Sequence, residues 1–190
     1  MSTDSDHRWN SCMTDTPPAI AHGEEARMRA AALQVLYLLR THADHAATEP
    51  LWSAVIRLED TLKSEPWPDD QDTMKSTPIM AAWSGVSRAV RSTQGPEDNR
   101  WDVEKVVSGL MGAVSAGRSA DRSAAKNASR TAETGQQQSY HFFDARSSRR
   151  DASGKLEEAC LAAAELGVPT EALESLNALK IPEWSHNWLS

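Results

Sequence analysis

The chain has 190 residues, a net charge of −7 and 39% hydrophobic residues, which suits one domain with tails or two very small ones. No apolar run approaches the ~20 residues of a membrane helix, and the opening MSTDSDHRWNSCMTDTPP lacks both the basic and the apolar region of a signal peptide, so a cytoplasmic protein is expected. The two cysteines, Cys12 and Cys160, suit a reducing compartment and make no disulfide framework.

Residues 1–22 are polar and carry Pro17-Pro18, so they read as a disordered or loosely docked tail. A main helical core is expected over 23–117. Its first helix is predicted over 24–43, opened by Glu24 and Glu25 at the positive end of the helix dipole. Met28, Ala32, Val35, Leu36 and Leu39 share one face, and Leu33, Tyr37 and Leu38 widen it. Thr48 reads as the cap of a second helix with Pro50 in its first turn. Leu51, Val55, Leu58 and Leu62 form its stripe, with Trp52 and Ile56 at the margins. EPWPDD, residues 65–70, is a proline-broken acidic loop. Thr77-Pro78 then caps and starts a third helix bearing Ile79, Trp83, Val86 and Val90, and Gly95-Pro96 stops it. Asp98 or Asn99 caps a fourth, with Val103, Val106, Val107, Leu110, Met111 and Val114 inward.

Beyond Gly117 the pattern changes. Ala120, Ala124, Ala128 and Ala132 keep a helical row, but their only apolar groups are methyls, each worth about 0.8 kcal/mol when buried. The residues leave open whether this stretch extends the fourth helix or stays unordered. Charge also reverses here: residues 1–117 carry −6, residues 118–150 carry +4 and residues 151–190 carry −5. Arg118, Arg122, Lys126 and Arg130 recur every four residues, and Arg146, Arg149 and Arg150 follow. Between these groups lies QQQSYHFFD, with both phenylalanines of the chain and one of its two tyrosines. It reads as an aromatic loop inside the one basic segment of an acidic protein.

A C-terminal helical hairpin is expected from Ser153 to Ile181. Leu156, Ala159, Cys160 and Ala163 mark its first helix, Leu166-Gly167-Val168-Pro169 its turn, and Thr170 the cap of a short helix with Leu173, Leu176 and Leu179. Trp184 and Trp188 lie in the tail after Pro182. The window 162–179 resembles the helix-turn-helix signature, which implies a DNA-reading helix from Thr170. Such a helix needs basic or amide side chains near its start; this one begins with Thr170-Glu171-Ala172-Leu173-Glu174. No alternating strand pattern and no fixed-period repeat occurs. The fold class is therefore all-α, an irregular bundle of five to six helices.

Constellations for chemistry are sparse. His42 and His45 stand three apart, a spacing that suits a metal pair, but no third ligand follows and histidines at a helix end also suit the dipole. No GxSxG elbow, Cys/His pair or GK[ST] phosphate loop is present. Gly109, Gly112 and Gly117 fall in a helical pattern, where they allow close helix packing or mark a break. Glu157-Glu158 and Asp69-Asp70 read as solvated charge.

The sequence thus points to a non-enzymatic, regulatory or accessory interaction protein without cofactor, acting on another protein. Its contact residues are expected to be Tyr140, Phe142 and Phe143, since Phe is seldom left in water, with Trp184 and Trp188, since Trp is favoured at interface hot spots; the residues leave open whether the aromatic stretch docks on this chain's own body or on a partner, and whether the two tryptophans clasp the domain instead. The alternative is a nucleic-acid-associated regulator using Arg118, Arg122, Lys126, Arg130, Arg146, Arg149 and Arg150, because charge for phosphates beside rings for bases is what single-strand binding uses. No membrane partner is expected, and self-association is left open.

Overall fold

A computed structural model describes residues 23–43, 49–68, 77–92, 100–135 and 139–176. Among these residues there are six helices and no strand: α1 (Glu24–His42), α2 (Glu49–Ser64), α3 (Pro78–Ser92), α4 (Arg100–Thr134), α5 (Ser139–Glu165) and α6 (Thr170–Glu174). The all-α class follows.

The spine of the molecule is the antiparallel pair α4–α5, the most extensive helix contact in the chain. At 1.5 Å per residue the 35-residue α4 spans about 50 Å and the 27-residue α5 about 40 Å. Their close approach has a sequence cause. A Cβ at Gly109 would sit 3.0 Å from the Ala159 Cβ, and one at Gly112 would sit 3.0 Å from the Lys155 Cδ. These glycines are packing positions, as their helical setting suggests.

α1 packs on α4 and touches α2 and α5; α2 and α3 form a further well-packed pair. The core is continuous through all six helices and buries Met28, Leu36, Leu39, Leu51, Leu58, Leu62, Ile79, Leu110 and Met111 completely. Each such side chain contributes about 1.5–3 kcal/mol on transfer from water. Local signals behave as their chemistry dictates. Thr77 accepts through its Oγ1 from the Met80 N–H at 3.4 Å, and Pro78 opens α3. After α5, Gly167 takes φ 91°, where only glycine is unstrained. The Val168 N–H then reaches the Ala163 carbonyl at 3.2 Å and the Gly167 N–H the Ala164 carbonyl at 3.0 Å, closing the helix with the paired bonds of a Schellman turn.

Several expectations need correcting. The stretch after Gly117, left open by the residues, extends the fourth helix, and the aromatic stretch read as a loop is helix: α4 runs unbroken to Thr134, ends at Gly135 with φ 69°, and α5 already begins at Ser139. The aromatic stretch therefore occupies the first turns of α5, and no boundary falls near Ser153. The reason is that DARSSRRDASGK contains no proline, and its alanines Ala145 and Ala152 face α4 and are buried. Tyr37 and Ile56 were expected to widen core stripes, yet they are 52% and 39% exposed, because they stand at the margins of faces already filled. Trp52 and Trp83 pack half-buried against the core, whereas Trp67, between two loop prolines, is buried. Thr170 is the first residue of α6 and Pro169 holds the cap position, with no side-chain cap bond. Thr48, Asp69-Asp70, Gly95-Pro96, Asp98, Asn99, Leu179 and the tail tryptophans lie outside the described residues.

Candidate partner-binding surface on the hairpin arm

The core cluster contains no described residue between Ala116 and Ala152. The distal parts of α4 and α5 therefore form an arm joined by an alanine seam, of which Ala120 and Ala145 are the buried members. What roots this arm is polar. The Asp121 carboxylate accepts from the backbone N–H of Glu24 at 2.8 Å and of Glu25 at 3.0 Å. It thus caps the N-terminus of α1 from a position 97 residues away, supplying the anion that the exposed helix amides and the dipole favour. Gly23 and Gly117 make room for this joint. A Cβ at Gly23 would lie 2.6 Å from the Asp121 Oδ2, and one at Gly117 would lie 2.9 Å from the Glu24 carbonyl oxygen.

Charged side chains crowd the same joint. Glu25 accepts from Arg29 at 2.6 Å and from Arg118 at 3.3 Å. Arg29 also donates to the carbonyls of Leu62 and Glu65 at the end of α2, and Arg122 donates to the Pro68 carbonyl at 3.5 Å. Glu24 is buried and pairs with Arg27 at 3.1 Å. Burial pushes the Glu24 carboxyl above its usual range; Arg27 and Arg149 pull it back, and the neighbouring Asp121 pushes it up again.

The predicted basic stripe is therefore split by the fold. At the root, Arg118 pairs with Glu25, Arg122 donates to the Pro68 carbonyl, and Arg149 is near enough to Glu24 to favour its charged form. Lys126, Arg130, Arg146 and Arg150 remain exposed along the arm. The aromatic residues divide as well. Phe142 is half-buried, while Tyr140 is 72% and Phe143 59% exposed. The Phe142 and Phe143 rings stand edge to face at 5.8 Å, and those of Tyr140 and His141 at 5.5 Å. Along α5 the positions of Tyr140, Phe143, Arg146 and Arg150 recur every three or four residues, so they share one face. Phe143, Arg146, Ser147 and Arg150 line one shallow depression there. Ring faces bordered by guanidinium groups offer apolar area and cationic hydrogen-bond donors together.

Other sequence candidates are placed differently. His42 is exposed at the end of α1, while His45, Trp184 and Trp188 lie outside the described residues. Among the described residues no group of three or more His, Cys, Asp or Glu side chains is placed to hold a metal ion. In the helix-turn-helix-like window, α6 has only five residues, Leu173 and Leu176 face the core, and Glu171 and Glu174 are exposed where a reading helix would meet phosphates. Among the described residues no helix is long and apolar enough to cross a membrane. Sequence reasoning missed Asp121, whose partners are distant in the chain, and Trp67. The only local hint of the first is an acid in a helix otherwise rich in basic and small residues. No family model, curated protein or solved structure matches this chain.

Proposed function

We propose that this chain is a non-enzymatic interaction protein whose α4–α5 arm docks on an acidic surface of a partner protein. The observation that carries the reading is the face of Tyr140, Phe143, Arg146 and Arg150, left exposed beyond the last core residue of a well-packed body. Exposed Phe is costly unless something covers it: full burial of one such ring is worth about 1.5–3 kcal/mol. Tyr and Arg are the residues most enriched at interface hot spots, and the cations beside them select a partner of opposite charge. The polar root supports the reading, because it fixes the arm on the body and presents its face pre-organised.

A second reading rests on the same face. Rings between Lys126, Arg130, Arg146 and Arg150 suit a single-stranded nucleic acid, with bases on the rings and phosphates on the cations. The engagement of Arg118, Arg122 and Arg149 at the root removes three of the seven cations such binding was expected to use, so the protein partner is preferred. Affinity capture from the source cell, with and without nuclease, separates the two. The protein reading expects a partner retained after nuclease and lost from a Tyr140→Ala/Phe143→Ala variant. Retention that disappears with nuclease transfers the function to the second reading.

A further inference from the structure

We infer that the groove between α2 and α3 is a second docking site, for an acidic amphipathic helix of another protein. The starting point is Gly85. Glycine inside a helix is disfavoured relative to alanine, because it loses more backbone freedom on folding. Gly109, Gly112 and Gly117 each have a reason within the chain, a neighbouring atom that a Cβ would meet at 3.0 Å or less. Gly85 has none: a Cβ built on it meets nothing within 4 Å. Gly154 is also open; Gly85 is set apart from it by lying in a groove of about 430 Å³.

That groove runs between Ser53, Ala54 and Arg57 of α2 and Ala82, Gly85 and Arg88 of α3. Bare backbone and methyl groups leave room for a third helix to approach closely, as helices do where small side chains separate their axes. The rim states the charge of the occupant. Arg57 and Arg88 are exposed, and their guanidinium groups form no hydrogen bond or ion pair with any described residue. The guanidinium groups of Arg27, Arg29, Arg40, Arg118 and Arg122 all have acceptors within the chain. α3 itself contains no Asp or Glu. Two guanidinium groups without a partner among the described residues, one from each wall, suit a ligand that brings carboxylates. No described lining residue offers a ring on which a base could stack, so an acidic helix fits better than a nucleic acid.

The test is fluorescence anisotropy on the full chain with three labelled probes. They are an 18-residue designed helix with Glu on one face and Ala and Leu on the other, the same peptide with Lys for Glu, and an oligo-dT strand. Saturable binding of the acidic peptide is expected, with little from the other two. Arg57→Glu/Arg88→Glu should weaken it at least ~10-fold, as loss of matched charge does. Gly85→Leu should do the same by filling the floor. Phe143→Ala should leave it unchanged, which keeps this site separate from the arm. Because Arg57 and Arg88 are exposed, their variant decides the matter even where Gly85→Leu alters the fold. Absence of saturable acidic-peptide binding overturns the proposal, as does equal binding of the Lys peptide. It is equally overturned by undiminished affinity in the double-arginine variant, or by displacement of the peptide by oligo-dT.

Discussion

Replacing Asp121 with alanine should destabilise the protein by about 2–3 kcal/mol, although the residue is only partly buried and outside the apolar core. The carboxylate makes two charge-assisted bonds, at 2.8 and 3.0 Å, to the first amides of α1. Loss of a helix cap costs about 0.5–2 kcal/mol, and loss of an anion from a partly buried helix N-terminus up to about 2. One term opposes these: Asp121 repels the Glu24 carboxylate, so its removal relieves part of that repulsion. For a chain of this length the net loss corresponds to a fall in Tm of about 5–10 °C. Asp121→Asn keeps one acceptor but not the charge, and should cost about half as much.

Gly23 sharpens the test. Its φ of −146° and ψ of 156° are open to any residue, so Gly23→Ala carries no backbone strain. Part of its cost comes from the Asp121 Oδ2, 2.6 Å from the new Cβ, and part from the poorer fit of alanine at the N-cap of α1. Gly23→Ala should therefore destabilise the native protein by about 1 kcal/mol or more, and by clearly less once Asp121 is alanine, when only the cap preference remains. Urea unfolding followed by circular dichroism at 222 nm measures all four members of this cycle. Additive losses, or a cost for Asp121→Ala below about 0.5 kcal/mol, would refute the view that Asp121 joins the arm to α1.

The remaining expectations use the same measurements. Gly117→Ala should destabilise by about 1–3 kcal/mol despite the better helix propensity of alanine, since the methyl meets the α1 backbone; a gain in stability would show that the two helices separate easily. Gly85→Ala, with open space around it, should instead stabilise by about 0.5–1 kcal/mol in the isolated chain. Glu24 has a folded-state pKa above its unfolded one, so the native state binds its proton more readily. That group's contribution to stability is then present below the unfolded carboxylate pKa and lost as pH rises through the raised folded value. Glu24→Gln should accordingly be more stable than the native chain at pH 7–8, with the difference shrinking as pH falls through the carboxylate range; the opposite trend in urea midpoints would show that pairing with Arg27 outweighs burial. Tyr140→Ala/Phe143→Ala should leave the unfolding midpoint almost unchanged, because little apolar area is buried at either ring; a large fall would make the arm's rings part of the core.

How much of this was legible in the residues depends on the range of the interactions involved. Thr77-Pro78 and Leu166-Gly167-Val168 act on backbone within a few residues, and the structure shows the start and the turn their chemistry implies. The valine and leucine stripes of α2, α3 and α4 face inward because one apolar face per helix is all the bundle requires. Marginal positions were not legible. Nothing local distinguishes Tyr37, which is exposed, from Leu38 beside it, which is buried, since the neighbouring helices decide where a stripe ends. Trp67 was hidden by the prolines around it. The arm is the clearest case. Its alanines and arginines permit a helix without enforcing one, and the order comes from Asp121, Arg118 and Arg122 meeting groups more than 50 residues distant. The aromatic residues read as a loop in the sequence yet stand on a helix, because that helix is held by α4 rather than by its own stripe.

Site-specific photo-crosslinking tests the central claim most directly. A benzoylphenylalanine in place of Phe143, introduced in the source cell, should form a discrete adduct with one protein, resistant to nuclease and suppressed by Arg146→Glu/Arg150→Glu. The same group in place of Glu158, exposed on α5 beside the body, should not form it. Identical adducts from both positions, or an adduct at 143 that nuclease removes, would contradict the assignment of this face to a partner protein.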